Sequence, residues 1–199
     1  GFTLVYRQPL VTVEVPQSGF TTFYYSNQSF LLPEGMEAYT IRQTTKGLQQ
    51  GLHISVAGSV LTAGQAVVLK ANPGVYEMVP TTKKKTADAR NRLRGSDVAE
   101  LTRGGECYYR LTETDNGELC WRWEEVDGGS FVNPAHKAYL ASSKTEVPDE
   151  VLLGDIITTI CPMAADQSHT DATYNLAGQR VDKAYPSIVI QNGKKVWRR

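Results

Sequence analysis

Cysteine is scarce, with three residues in 199, Cys107, Cys120 and Cys161. An odd count cannot pair completely, and three are too few for a disulfide framework. Histidine is equally thin, with only His53, His136 and His169. No Cys-x2-Cys or His-x3-His spacing occurs, which argues against a zinc site. A nucleophile elbow, Gly-x-Ser-x-Gly, is missing, and Cys161-Pro162 with His169 or His136 has no orienting signature. Glu124 and Glu125 are neighbours whose side chains leave a strand on opposite faces, so they cannot flank a substrate. Gly104-Gly105 and Gly128-Gly129 read as turns rather than phosphate loops. No enzymatic activity, cofactor or metal is therefore expected. Charge of one sign is not in excess either. Lys plus Arg total 21 and Asp plus Glu total 21, which argues against nucleic acid as a partner. No apolar run approaches the ~18 residues of a membrane span. Gly1-Phe2-Thr3-Leu4 lacks the start, basic region and apolar core of a signal peptide. The chain is expected to be a mature or trimmed piece of something longer.

What is present is strand after strand. Thr3 to Val15 is rich in Val, Leu and Thr, and Val11-Thr12-Val13-Glu14-Val15 alternates with period two, the mark of a half-buried strand. Pro16 to Gly19 ends it. Further strands are predicted at Phe20 to Ser26, Ala38 to Gln43, Leu52 to Val56, Ala66 to Lys70, and Gly74 to Val79 with Pro80 as its stop. Turn residues separate them about every ten residues, the spacing of sandwiches and barrels. His53 lies inside an apolar strand, where a structural role suits it. Thr81 to Asp97 breaks the pattern. It carries Lys83, Lys84, Lys85, Arg90, Arg92 and Arg94 and reads as a solvated loop with a helical turn over Ala87 to Leu93. An anion-binding patch is the sharper alternative for it.

Glu106 to Thr112 and Leu119 to Glu124 flank Asp115-Asn116-Gly117. A turn centred on Asp115-Asn116 sets Arg110 opposite Trp121 and Tyr108 opposite Trp123. Cys107 then faces Glu124 and Cys120 faces Leu111, so the two cysteines do not meet. Asn133-Pro134 precedes a strand over Lys137 to Ser142, with His136 in an exposed loop. Val151 to Ile160 reads as an added edge strand, and Pro162 to Thr170 as turn-like. Near the end, Ser187 to Ile190 and Lys194 to Trp197 flank Asn192-Gly193, the strongest short hairpin signal because both positions tolerate positive φ. That loop sets Ile190 opposite Lys195 and Ile188 opposite Trp197. No segment sustains a 3.6-residue period.

Aromatics supply the remaining functional clue. Tyr24-Tyr25, Tyr108-Tyr109 and Trp121/Trp123 fall on strands, where alternation buries one member and exposes the other. Core packing accounts for most such rings. Exposed ones can stack on sugars or dock a protein, which makes Trp121, Trp123 and Tyr24 the candidate ligand-binding residues.

Several segments resemble a β module found near the C-termini of surface proteins from gut bacteria of the Bacteroides and Prevotella type. They are Gly19-Phe20-Thr21-Thr22-Phe23-Tyr24, Leu32-Pro33-Glu34-Gly35-Met36-Glu37-Ala38-Tyr39-Thr40, the stretch from Leu61 to Lys70, Leu93-Arg94-Gly95-Ser96, Tyr108-Tyr109-Arg110-Leu111, and the stretch from Asn133 to Leu140. The tail, Tyr174 to Val181 and Ile188 to Val196, is similar to the terminal β unit that acts as a C-terminal sorting signal in relatives. Where that family has Lys-Gly before the last hairpin, this chain has Pro186-Ser187. The resemblance implies an extracellular or cell-envelope location and no catalytic residues.

The expectation is an all-β chain. Residues 1–145 form an antiparallel β-sandwich, jelly-roll or Ig-like, residues 146–170 a linker and edge strand, and residues 171–199 a small hairpin tail. Its expected duty is structural, adhesive or anchoring, with another surface protein or a glycan as partner. The alternative is a carbohydrate-binding module using exposed aromatics.

Overall fold

The structure, a computed structural model, describes residues 10–123, 129–143, 150–157, 173–175, 180–181, 188–191 and 194–197. Two units divide the chain, Gly1–Thr159 and Ile160–Arg199. In the first, eight strands come in succession: Val11–Val15 (β1), Phe20–Phe23 (β2), Ser29–Leu31 (β3), Glu37–Thr44 (β4), Gly47–Ile54 (β5), Val60–Leu61 (β6), Val67–Lys70 (β7) and Gly74–Thr81 (β8). Seven more follow: Leu93–Gly95 (β9), Glu100–Leu101 (β10), Cys107–Glu113 (β11), Leu119–Trp123 (β12), Val132–Asn133 (β13), Ala138–Ser142 (β14) and Glu150–Leu152 (β15), then a helical turn, Leu153–Ile157 (α1). The expected all-β class holds. No helix among the described residues is long and apolar enough to cross a membrane.

All of the strand pairings are antiparallel. One sheet runs β1-β8-β3-β6, a second β2-β7-β4-β5, a third β15-β12-β11-β14-β9, and β10 pairs with β13. The second sheet explains the rest. Its strand β7 buries Val67, Val68 and Leu69 in a row, the signature of a strand covered on both faces. Val67 and Leu69 point into one core with Val13, Phe30 and Met78 of the first sheet. Val68, between them, points into another with Tyr109, Trp121 and Leu140 of the third sheet, closed at one end by Leu153 and Ile156 of α1. Alternation along each strand feeds the two cores in turn.

The β11–β12 register differs from the expected one by a single residue. Tyr109 faces Trp123, Arg110 faces Arg122 and Leu111 faces Trp121. Three residues form the loop, because Gly117 at φ +79° takes the left-handed position that closes it. Thr114 N donates to Glu118 O at 2.7 Å across its base. The core decides this slip: Tyr109, Leu111, Leu119, Trp121 and Trp123 all gather on one face, and the alternative register would turn Arg110 toward them. Cys120 faces Thr112 and Cys107 faces Ser142, and no disulfide joins the two.

Three other expectations are corrected. Strand β8 passes through Pro80 to Thr81, with Pro80 opposite Phe30 near the strand's end, where one missing N–H is tolerated. The edge strand expected from Val151 ends at Leu152, which pairs with Cys120, and Leu153–Ile157 turns helical so that Leu153 and Ile156 reach the core; residues 158–160 lie outside the described residues. Residues 82–92 form no helix; the segment holds a single tight turn in which Asn91 N donates to Asp88 O at 3.0 Å. Lys83 to Lys85 are exposed, but the following segment is pinned from inside. Asn91 Oδ1 accepts from the amides of Ile41 and Leu93, and its Nδ2 donates to Ala66 O at 2.7 Å. Asp88 accepts from Thr40 Oγ1 and Arg42 Nε, each at 2.7 Å.

The second unit contains Thr173–Asn175 (β16), Arg180–Val181 (β17), Ile188–Gln191 (β18) and Lys194–Trp197 (β19), ordered β17-β16-β18-β19. Ile190 faces Lys195 and Ile188 faces Trp197, as the Asn-Gly loop predicts. The loop itself, the Cys161–His169 stretch and the Glu124–Glu125 pair lie outside the described residues.

Two predictions follow from this frame. Leu69→Ala, in the strand shared by both cores, lowers unfolding free energy by about 2–5 kcal/mol, read as a lower urea midpoint. Asp88 gives a pH signature. Burial pushes its carboxyl up, but hydrogen bonds from Arg42, Thr40 and the Arg90 amide, with the Arg42 charge, outweigh that and hold its pKa at about 2. A depressed carboxyl pKa stabilises the fold above its unfolded value of about 4 and ceases to do so as pH falls toward 2. Asp88→Asn therefore unfolds more easily than wild type at pH 7, and the difference closes between about pH 4 and 2 in acid titrations.

Candidate functional site

The three aromatic candidates do not share a surface. Trp121 is 0% exposed and fills the core beneath the third sheet, so it cannot stack on a ligand. The one-residue register shift puts it there. Trp123 and Tyr24 are half-buried and pack on the same core. Tyr24 packs against Gly95, where an added Cβ would overlap its Cβ and Cγ. Burial, followed by the nearby Asp97 carboxylate, raises its phenol pKa. None of the Phe, Tyr or Trp residues described in the first unit is fully exposed.

Two histidines have defined partners. His53 stacks on its cross-strand neighbour Tyr39, ring centroids 4.6 Å apart, and its Nε2 lies 2.8 Å from Glu37. That is the structural role its strand position suggests. His136 takes φ +60° and lies parallel to the Tyr25 ring at 3.8 Å. Its Nδ1 is 3.7 Å from Asp97, whose carboxylate also accepts from Ser26 Oγ and, at 3.0 Å, from Ser26 N. Serine, aspartate and histidine thus come together, but in the wrong sequence for nucleophile activation. In a working triad the histidine stands between hydroxyl and carboxylate and takes the hydroxyl proton. Here the carboxylate stands between them, so the histidine does not reach the hydroxyl proton. The cluster instead clamps residues 24–26, 96–97 and 133–137. His136 N donates to Ser96 O, and Tyr24 N donates to His136 O.

That clamp builds a cleft. Strand β2 is an edge of the middle sheet, and the 134–138 turn lies against it, with Ala138 N donating to Thr22 Oγ1 at 2.9 Å. Asn133, 2% exposed, holds the turn by donating to Ser96 Oγ, Pro134 O and Lys137 O. Between β2 and the Arg110–Glu113 part of β11, the central strand of the third sheet, opens a cleft of about 460 Å³, lined by Phe20, Thr21, Thr112, Arg110, Phe131 and Lys137 among others. Past Ser18, Phe20, Glu113 and Leu119 it continues into a wider hollow of about 770 Å³ that reaches Glu118 and Asp155. Volumes of this order suit small ligands.

Lys137 is the unusual group in the cleft. Its Nζ donates to Thr21 Oγ1 at 2.8 Å. Among the described residues no carboxylate forms an ion pair with it. Burial lowers its pKa, against a weaker opposing pull from Glu14. Arg110 lies nearby on the cleft wall, its guanidinium 4.4 Å over the Phe131 ring. Lys137 and Arg110 thus bring two cations to the cleft, Glu113 lines it too, and the adjoining hollow carries Glu118, Asp155 and Lys70. Neither Lys137 nor Phe20 carries a motif signal. A single Lys after Pro-Ala-His is indistinguishable from any surface lysine until the chain is folded. No group of three or more His, Cys, Asp or Glu suited to a metal ion occurs among the described residues.

Gly95→Ala forces the Tyr24 ring off its seat and costs about 1–3 kcal/mol, measured as a lower thermal midpoint with an altered near-ultraviolet tyrosine signal. No family model, no curated protein and no solved structure matches this chain.

Proposed function

We propose that this chain is a non-catalytic β-sandwich module of jelly-roll type, secreted or displayed on the cell envelope, with a structural, adhesive or anchoring duty. The strand order supports the architecture. β1-β8-β3-β6 and β2-β7-β4-β5 divide eight successive strands between two sheets that share one core, the wiring of two Greek keys in a jelly roll. The observation that carries the duty is the middle sheet packed on both faces. A third sheet fixed to the back of the first pair stiffens a module that has to hold its shape between partners. The Ser26, Asp97 and His136 order supports the non-catalytic part. The envelope location rests on the sequence resemblance, and the partner is another surface protein or a glycan.

Carbohydrate binding is a second reading, and one observation favours it: the hydroxyl-lined cleft beside Phe20. It does not use Trp121.

Protease shaving of intact producing cells tests the location. Peptides of this chain are expected in the shaved fraction, or the chain in the culture medium. Recovery only after lysis sinks the envelope reading.

A further inference from the structure

We infer that the cleft along β2 binds a saccharide bearing a single carboxylate, with Lys137 as the group that selects the charge. The inference rests on the carbohydrate reading and names its ligand class. An ammonium has three donors, and Lys137 spends one on Thr21 Oγ1. Its half-burial strips part of the water from a charge whose hydrogen-bond partner is a neutral hydroxyl, with Glu14 acting on it only as a weaker charge, an arrangement that an incoming anion improves. The turn that carries Lys137 is held rigid by Asn133 and by the His136 backbone, so the charge is fixed in place before a ligand enters.

The surroundings restrict what that anion can be. Ser18 and Thr21 on one side and Thr112 on the other offer hydroxyls to the cleft, and Phe20 offers an apolar ring beside the first two. Hydroxyls with an apolar ring suit a sugar, whose edges hydrogen-bond while its C–H faces lie on an aromatic. Glu113 stands in the cleft, and Glu118 and Asp155 stand with the single cation Lys70 in the adjoining hollow, so carboxylates outnumber the cation there. These repel a polyanion or a multiply charged phosphate or sulfate ester. One carboxylate at the Lys137 end, followed by uncharged sugar, satisfies both ends.

The test titrates the whole chain with a trisaccharide ending in glucuronic acid and with its counterpart ending in glucose, by calorimetry. The acidic sugar is expected to bind about ten-fold or more tightly than the neutral one, the discrimination a charge-assisted hydrogen bond supplies, with the margin shrinking as salt rises. Lys137→Met is expected to erase the margin. Its thermal midpoint, measured in parallel, is expected to stay at or above wild type, since the change removes a desolvated charge and keeps the stem. Equal binding of both sugars to wild type overturns the charge selection and leaves carbohydrate binding standing. No binding of either sugar overturns both. A margin that survives in a folded Lys137→Met overturns the role of Lys137.

Discussion

A sheet with two apolar faces has no side left for solvent. That constraint governs the first unit. Once Val67, Val68 and Leu69 are all buried, each face of β2-β7-β4-β5 requires a cover. The β1-β8-β3-β6 sheet supplies one and the β15-β12-β11-β14-β9 sheet the other. The third sheet is therefore not an appendage to an eight-stranded body. It covers apolar area that the body would otherwise expose, and α1 closes the end of the same core with Leu153 and Ile156.

Covering both faces leaves the edges and the connections. Polar backbone at such places needs partners, and here short side chains provide them. Asn91 satisfies the amides of Ile41 and Leu93 and the carbonyl of Ala66. Asn133 satisfies the turn that guards the edge of β2. Asp97 ties Ser26 to the same corner. Each joins segments far apart in the chain, so irregular connections are as fixed as strands. The cleft is a by-product of this scheme. It opens where the middle sheet's edge and the third sheet diverge, and the pinned 133–137 turn places a lysine at its mouth.

Much of the frame is legible in the residue order. Val11 to Val15 alternates and is a strand. Asn192-Gly193 sets the register of β18 on β19, because a two-residue loop leaves one choice. The Asp115-Asn116-Gly117 loop admits two registers, and the chemistry of the loop does not choose between them. The choice falls to the core, which requires Tyr109, Leu111, Trp121 and Trp123 on one face. That is why Trp121, a plausible exposed platform one residue out of register, is fully buried.

By itself, then, the sequence determined the class, most strand positions and one hairpin register, since these follow from period-two alternation and local turn chemistry acting over a few residues. It also placed His53 on a strand, where it meets Tyr39 and Glu37. Only the tertiary structure decided which sheet covers which, that Asp88 and Asn91 turn inward from a segment that reads as solvated, and that Lys137 meets Thr21 across 116 residues of chain. The physical reason is range. Alternation and turns are properties of neighbouring residues, whereas a shared core, a satisfied loop and a desolvated charge depend on groups that meet only when distant strands have packed.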